Sequence, residues 1–598
     1  MRVASPARTA SVASSGYGEK QAYKVFDGAN PSLADIVTPL AGVFEGPMVF
    51  LDTARADRGH RFSYLCLGLH DVVRCDSAGC DAKATGDCES AGEGFFEQLA
   101  QSVRPWPCRT VPAAVADAGF ADASLLHGGM VGYIGYGVAD GSVQRDVAHR
   151  AGMRGTVAGV PASQAMMGRP AVVVCQDIRT RRIAVGADTG FDGWDAAIAA
   201  VGECVQRQDW CNPATERAPF VANAETAAAL HACVDGAPFV KVTGGHRGNR
   251  CSGMDNRSGV KGMPDDAANV RDDALPDDWT ADMTREEYCA AVERVKAHET
   301  EGDAYVVNLT QRIHGPRCAD PWGAYLRLRA LTPAPYSAYA DDGRGTVLCC
   351  SSMERFLTVR GSRALTSPIK GTAARGSDDE RDAASRVSLA HSGKDHAELM
   401  MVVDLERNDM SRCCRPGSII VPAPPRIEAY STVFQLVCDV VGELAGPAPL
   451  RTVRLLRHMF PGGSVTGAPK ESAMRIIGNI ERSPRGAYTG CVGYLADGGD
   501  ADFAVVIRTM ECDAHGCRLG VGGGITHESD PQSEYDEMLL KSRAVIDAFL
   551  PFQEGERPEN SLQADLRQEN PRHRNSQQEG RRMAIREGGD AHGADSNE

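Results

Sequence analysis

Lys370 lies in Ser367-Pro368-Ile369-Lys370-Gly371-Thr372, between an apolar Pro-Ile pair and a Gly-Thr turn. A solvated lysine is protonated and inert as a nucleophile. Desolvation disfavours the ammonium, so a lysine drawn partly out of water can hold a free amine near neutral pH. The ordinary alternative is a solvated or ion-paired side chain. Glu534 and Glu537 are three apart in a helical pattern whose apolar stripe is Tyr535, Met538, Val545, Ile546 and Phe549, so the two carboxylates project from neighbouring positions. With Glu398, on a second helical pattern, they would offer hard oxygen ligands suited to Mg²⁺. Equally, they could form an exposed acidic face in which Glu537 and Lys541 make an i,i+4 pair.

Two glycine-rich stretches, Pro461 to Lys470 and Gly520 to Ile525, could present backbone N–H groups to a carboxylate or phosphate, or could simply be tight turns. The first lacks Gly-x-x-x-x-Gly-Lys-Ser/Thr and is not a nucleotide-binding P-loop. Glu354 in Ser351 to Phe356 fits a general acid, and Arg508 near a strand end fits a carboxylate clamp. Each has a plain alternative as a salt-bridged structural charge.

These groups need elements to position them. Thr284-Arg285-Glu286-Glu287 is a capping box that opens a helix with Tyr288, Val292 and Val295 on one face. Strand patterns cover Tyr305 to Ile313, Val347 to Ser351, Arg355 to Arg360 and Ala364 to Pro368, which places Lys370 just past a strand end. Helical patterns follow at Ser392 to Met410, Leu450 to Met459 and Pro469 to Ile480. Strands at Tyr488 to Leu495 and Asp502 to Glu511 flank a hairpin turn at Asp497-Gly498-Gly499-Asp500. The whole reads as α+β.

The chain has 598 residues and a net charge of −15, which argues against nucleic acid or an anionic membrane surface as partner and favours a small-molecule substrate. No apolar run reaches bilayer length and the N-terminus is not a signal peptide, so the expected location is the cytoplasm. The 20 cysteines show no Cys-x-x-Cys spacing and read mostly as reduced thiols; Cys75, Cys80 and Cys88 lack a fourth metal ligand. Residues 1–242 read as an N-terminal subdomain with an insertion near 140–168. Residues 243–278 read as a linker or insertion, 279–550 as the patterned domain, and 551–598, poor in aromatics, as a disordered tail.

Six ordered motifs, Met283 to Tyr288, Gly302 to Leu309, Glu354 to Phe356, Pro368 to Thr372, Val403 to Asp409 and Pro461 to Lys470, make the chain resemble the chorismate-utilising enzymes from about Trp279 to Phe549. Weaker echoes at Arg61 to Ser63 and His127 to Tyr136 extend the likeness towards the N-terminus. Within that family the lysine of Pro-Ile-Lys-Gly-Thr resembles the para-aminobenzoate and folate branch, because anthranilate synthases carry alanine there. The resemblance implies an antiparallel β-sandwich-like core with helices outside. It also implies an amino-transferring enzyme that makes 4-amino-4-deoxychorismate from chorismate and ammonia. In that reading Lys370 attacks C2 as the C4 hydroxyl leaves, ammonia then adds at C4 and expels the lysine, and Glu354 is the acid and base.

The same resemblance implies Mg²⁺ on Glu398, Glu534 and Glu537, and substrate-carboxylate contacts from Thr466, Tyr494, Arg508 and the Gly522, Gly523 and Gly524 backbone. Gln435 stands where relatives often carry a histidine beside the leaving group, Cys438 replaces a serine, and Val306 replaces a glutamine. No Gly-x-Cys-x-Gly motif is present, so a separate glutamine amidotransferase subunit is implied as ammonia source, and relatives can hold tryptophan in the N-terminal subdomain. The alternatives are anthranilate synthase, isochorismate synthase, or a tryptophan-binding subunit without catalysis.

Overall fold

Strand Cys491–Ala496 is buried at every position, and the pleat divides its side chains between two cores: Cys491 and Leu495 pack on one face, Val492, Tyr494 and Ala496 on the other. Strand Gly129–Ile134 repeats the division, with Met130 and Ile134 in the first core and Val131 and Tyr133 in the second. A strand that must be apolar on both faces reads as a continuous apolar run, and both do. The first core is completed by helix residues such as Phe95, Leu99, Val403 and Leu456. The second is filled mainly from strands, including Val49, Tyr64, Ala338 and Leu348.

The computed structural model describes residues 22–26, 32–41, 46–54, 61–76, 79–80, 91–103, 112–138, 163–187, 199, 201–202 and 275–550, save 377, 431 and 432. Among these, antiparallel pairings link nineteen strands into one sheet, and three further strands form a small separate one. Helices and antiparallel sheets together make the fold α+β. Strands from early and late in the chain share the large sheet: Met48–Asp52 pairs with Tyr336–Asp341, and Gly129–Ile134 with Cys491–Ala496. Of the insertion read near 140–168, residues 163–168 instead begin the long strand Ser163–Asp177, and the rest lies outside the described residues. The tail, 551–598, and most of 243–278 also lie outside them.

Helix Arg285–Thr300 begins at the expected capping box: the Thr284 hydroxyl accepts from Glu287 N while the Glu287 carboxylate accepts from Thr284 N at 2.9 Å. Helices Gly393–Ser411, Leu450–Met459, Lys470–Ile480 and Pro531–Asp547 follow the sequence patterns closely. Two expectations are corrected. The strand expected before Lys370 does end there, as Arg363–Ser367, but Lys370 then lies within a further strand, Ile369–Ala374, which pairs with Val433–Val437 in the three-stranded sheet. The single strand expected over Asp502 to Glu511 is two, Ala501–Val505 and Thr509–Asp513, because Arg508 takes a left-handed backbone with φ 51° and turns the chain between them.

Candidate active site

A cavity of about 200 Å³ opens where the small sheet meets the glycine-rich strand Gly516–Ile525 of the large one. Lys370 reaches it from the small sheet. Its ladder with Val433–Val437 shifts register between Lys370 and Thr372, at Gly371, whose φ of 76° suits glycine alone. A side chain at Gly371 would also meet Asp395, with a Cβ placed 2.8 Å from the Asp395 Cβ. On the far wall Gly524 leaves room for the amine, since a Cβ there would lie 2.8 Å from Lys370 Nζ.

Burial lowers the Lys370 pKa, opposed by the nearby carboxylates of Glu398 and Glu354 and reinforced by the positive charge of Lys541. Among the described residues Lys370 makes no ion pair. Glu354 is only 5% exposed. Burial raises its pKa, against the hydrogen bond from Ser464 and the pull of Lys370. The backbone N of Ile369, next to Lys370, lies 3.4 Å from Glu354 Oε1 and ties the two groups together along the chain.

Glu398, Glu534 and Glu537 line the same cavity from helices Gly393–Ser411 and Pro531–Asp547. Burial raises the pKa of Glu398, and raises that of Glu534 with help from the neighbouring Glu537 charge. Glu537 is lowered instead, first by Lys541, whose Nζ stands 2.6 Å from its carboxylate. Lys394 is 3.8 Å from Glu398, and Ser529 Oγ donates to Glu534 at 2.7 Å. These are hard oxygen donors crowded enough to repel one another, which suits a hard cation in kind. Their oxygens are not drawn together to within 4.8 Å, as those of the exposed group His298, Glu301 and Asp303 are.

Arg508 lines the cavity beside the backbone of Gly522, Gly523 and Gly524, and its guanidinium donates to Lys541 O at 2.8 Å. Gln435 also faces it; the amide Nε2 lies 2.8 Å from Met353 Sδ, and the buried Oε1 has no hydrogen-bond partner among the described residues. Two expected residues are elsewhere. Thr466 is fully buried with its hydroxyl donating to Gly462 O at 2.9 Å, while its neighbours Ser464 and Val465 line the cavity. Tyr494 lies on the opposite face of its strand and lines a second cavity with Phe62, Tyr64, Tyr336 and Arg360. The tyrosine that lines the first cavity is Tyr488, six residues earlier, before the strand begins.

Sequence reasoning missed Lys394, Asn308, Ser464 and Tyr488. Lys394 carried a signal in its i,i+4 spacing to Glu398, and Asn308 and Ser464 stood inside the quoted motifs; Tyr488 carried none. Glu406 was also missed: it is buried beneath the glycine loop, accepts from Gly463 N at 2.8 Å, and is pushed by burial up to about 7.

Residues 240–547 match the family model described as chorismate binding enzyme. An "Aminodeoxychorismate synthase" of Streptomyces pristinaespiralis is 44% identical over 263 residues, 44% of this chain and 36% of that protein. The "Aminodeoxychorismate synthase component 1" of Escherichia coli (strain K12) is 40% identical over 275 residues, 46% of this chain and 60% of that protein. The chain thus spans less than two thirds of the length of these relatives. The crystal structure of anthranilate synthase component I from Streptococcus pneumoniae TIGR4 superposes with a TM-score of 0.56 at 21% identity, over 82% of this chain and 93% of that one, a likeness of fold.

Proposed function

We propose a reaction for this chain, which belongs to the family of chorismate binding enzymes: replacement of the C4 hydroxyl of chorismate by an amino group, through a covalent adduct on Lys370. The observation that carries the reading is the unpaired amine, with its pKa lowered by burial, facing the same cavity as a buried carboxyl whose pKa is raised. A free amine and a protonated acid are the two states that displacement of a hydroxyl requires.

The Lys370 nitrogen bonds to C2, the ring double bonds shift, and the C4–O bond breaks as Glu354 gives its proton, so that water leaves. Ammonia then bonds to C4, the double bonds shift back, and the C2–N bond to Lys370 breaks. Glu354 takes the proton shed by the entering nitrogen. Chorismate and ammonia become 4-amino-4-deoxychorismate and water. Holding the amine against the ring replaces a bimolecular attack with an intramolecular one and divides one difficult substitution into two allylic displacements.

Arg508 and the amides of Gly522 to Gly524 would orient the substrate carboxylates, and the unpartnered Oε1 of Gln435 would accept from the C4 hydroxyl. Glu398, Glu534 and Glu537 would hold Mg²⁺, which when bound supplies positive charge opposite a substrate carboxylate. Thr466 and Tyr494 are not part of this set. A glutamine amidotransferase subunit is the proposed ammonia source, in keeping with the words "component 1" in the E. coli relative's name; the net reaction is then amino transfer from glutamine, in the cytoplasm, towards para-aminobenzoate. Among the described residues no helix is long and apolar enough to cross a membrane. The second cavity, aromatic and rimmed by charged pairs, is the proposed place for tryptophan.

Purified protein given chorismate, Mg²⁺ and ammonium salt tests the reaction. Nitrogen gained without release of pyruvate supports it. Pyruvate release would mean an anthranilate synthase, and a product of unchanged mass an isochorismate synthase. Glutamine as sole donor should give nothing until the second subunit is added.

A further inference from the structure

Outside the reaction cavity, four cysteines distant in sequence converge. Cys512 and Cys517 sit opposite each other in strands Thr509–Asp513 and Gly516–Ile525, with their sulfurs 3.5 Å apart. Asp513 pairs with Gly516 across the two-residue turn Ala514-His515. Hydrogen-bonded and non-hydrogen-bonded pairs alternate along an antiparallel ladder, and the pair that closes a two-residue hairpin is hydrogen-bonded. Cys512 and Cys517 are therefore a non-hydrogen-bonded pair, the kind with Cα atoms about 4.5 Å apart, within the span of a disulfide.

Cys318, in the loop between strand Val306–Gly315 and helix Pro321–Leu331, lies three residues after Gly315, the ladder partner of Cys517, and neighbours both sulfurs. Cys349, on the strand that pairs with Thr509–Asp513, reaches Cys512. All four are free thiols; Cys349, Cys512 and Cys517 are buried and Cys318 is partly exposed. An outside reagent therefore meets Cys318 first. The neighbouring Cys512 and Cys517 thiols hold the Cys318 thiol well below its ordinary range, which favours the reactive thiolate. A tetrahedral metal is disfavoured, since these sulfurs do not form a group drawn together within 4.8 Å.

We propose that Cys318, Cys512 and Cys517 form a thiol–disulfide exchange relay, in which Cys318 accepts oxidation from a low-molecular-weight disulfide and passes it inward to close a Cys512–Cys517 bond. The Cys318 thiolate attacks one sulfur of the external disulfide, whose S–S bond breaks to release the first small thiolate. Cys512 loses its proton to that thiolate and attacks the Cys318 sulfur, expelling the second small thiolate. Cys517 then attacks the Cys512 sulfur, returns Cys318 as a thiolate, and gives its proton to the second small thiolate. Two protein thiols are oxidised by two electrons and one small disulfide is reduced to two small thiols. The bond so formed ties together the strand carrying Gly522 to Gly524 and the strand that leaves Arg508.

Treating the full chain with oxidised glutathione, alkylating the remaining thiols and digesting with trypsin without reductant reads the relay directly. Cleavage after Arg508 and Arg518 places Cys512 and Cys517 in one peptide, 509–518, whereas cleavage after Arg317 and Arg327 isolates Cys318 in 318–327. The expected product is peptide 509–518 unalkylated and lighter by two hydrogens, with 318–327 alkylated. Cys318→Ser should slow its appearance roughly tenfold, and Cys517→Ser should stall the relay as a cross-link between 318–327 and 509–518. Peptide 509–518 remaining fully alkylated in the wild-type chain, oxidation of Cys318→Ser as fast as wild type, or a cross-link to the Cys349 peptide 345–355 would each overturn the proposal. So would zinc retained in stoichiometric amount by these thiols.

Discussion

The two cavities treat charge in opposite ways. Around the second, each charge has a partner: Asp502 takes Arg355 at 3.3 Å and Arg360 at 3.6 Å, Arg61 takes Asp177 at 2.8 Å, and Asp52 takes Arg329. Arg360 also donates to the Tyr494 hydroxyl at 2.9 Å. In the first, Lys370 has no ion pair, Glu354 and Glu534 are buried enough to be raised, and the glycine strand presents backbone in place of side chains. Paired charges hold a shape. Incompletely paired ones remain available to a substrate, at a cost in desolvation that the surrounding fold must offset.

Lys370→Ala should widen the contrast most, since it removes the amine proposed to form the adduct. The expected loss of amination is roughly a thousandfold or more, judged from nucleophiles that act as a unit with their acid. Single-turnover rates across a range of ammonium concentrations measure it. Rates equal to wild type would reduce Lys370 to a buried charge like any in the second cavity.

Glu406, buried beneath the glycine loop next to the charged cavity, tests what a buried carboxyl costs the fold. Its folded pKa is raised from 4.5 to about 7 by burial. A raised carboxyl favours the folded state fully below pH 4.5, and that contribution disappears as pH climbs through about 7. Glu406→Gln, which can still accept from Gly463 N, should abolish that part of the pH dependence and gain roughly 1–3 kcal/mol at pH 8 relative to wild type. Urea unfolding at pH 5 and pH 8 reads it, and parallel pH profiles for the two proteins would contradict it.

Glu537→Gln should shift the Mg²⁺ requirement and chorismate affinity together by roughly tenfold, because each ligand would report the other's binding. Magnesium titrations at fixed chorismate give the result. Superimposable curves would make Glu537 merely the partner of Lys541. The smallest effect belongs to Tyr494→Phe, which alters only the paired cavity. Amination should stay within about twofold of wild type, as for substitutions away from the reacting groups. A loss near that of Lys370→Ala would erase the distinction between the cavities.

What could be read from sequence follows the range of the signal. The capping box at Thr284 and the apolar stripe from Tyr535 are local, and their helices formed as read. Lys370, Glu354, Gln435, Arg508, the glycine backbone and the three glutamates share one cavity; Lys370 and Glu354 stood in ordered motifs, Glu534 and Glu537 were singled out by helical spacing, and the family resemblance gathered the set. Ile369 to Ala374 did not read as a strand: Gly371 and two alanines carry little strand preference, and its partner Val433–Val437 lies some sixty residues on. The break at Arg508 was hidden by the apolar run Val505-Val506-Ile507, which continues a strand pattern through a backbone turn. Tyr494 was misplaced along the chain: it lines the second cavity, six residues beyond the Tyr488 that lines the first, and residue type alone cannot reveal which of two tyrosines reaches a site. The thiol cluster joins residues 318, 349, 512 and 517, so no spacing rule could gather it.

Gly524 has a consequence for how this chain can vary. The space around the Lys370 amine is kept by a missing side chain, and a Cβ at that position would come within 2.8 Å of the nitrogen. Alanine, serine and aspartate differ from glycine by single base changes, and each brings that carbon. A lineage could therefore displace the Lys370 amine without touching Lys370, Glu354 or any glutamate, since the flexible end of the lysine side chain would have to shift. Among relatives of this chain, the residue at this position would reveal a shifted amine where an inventory of reactive side chains would not.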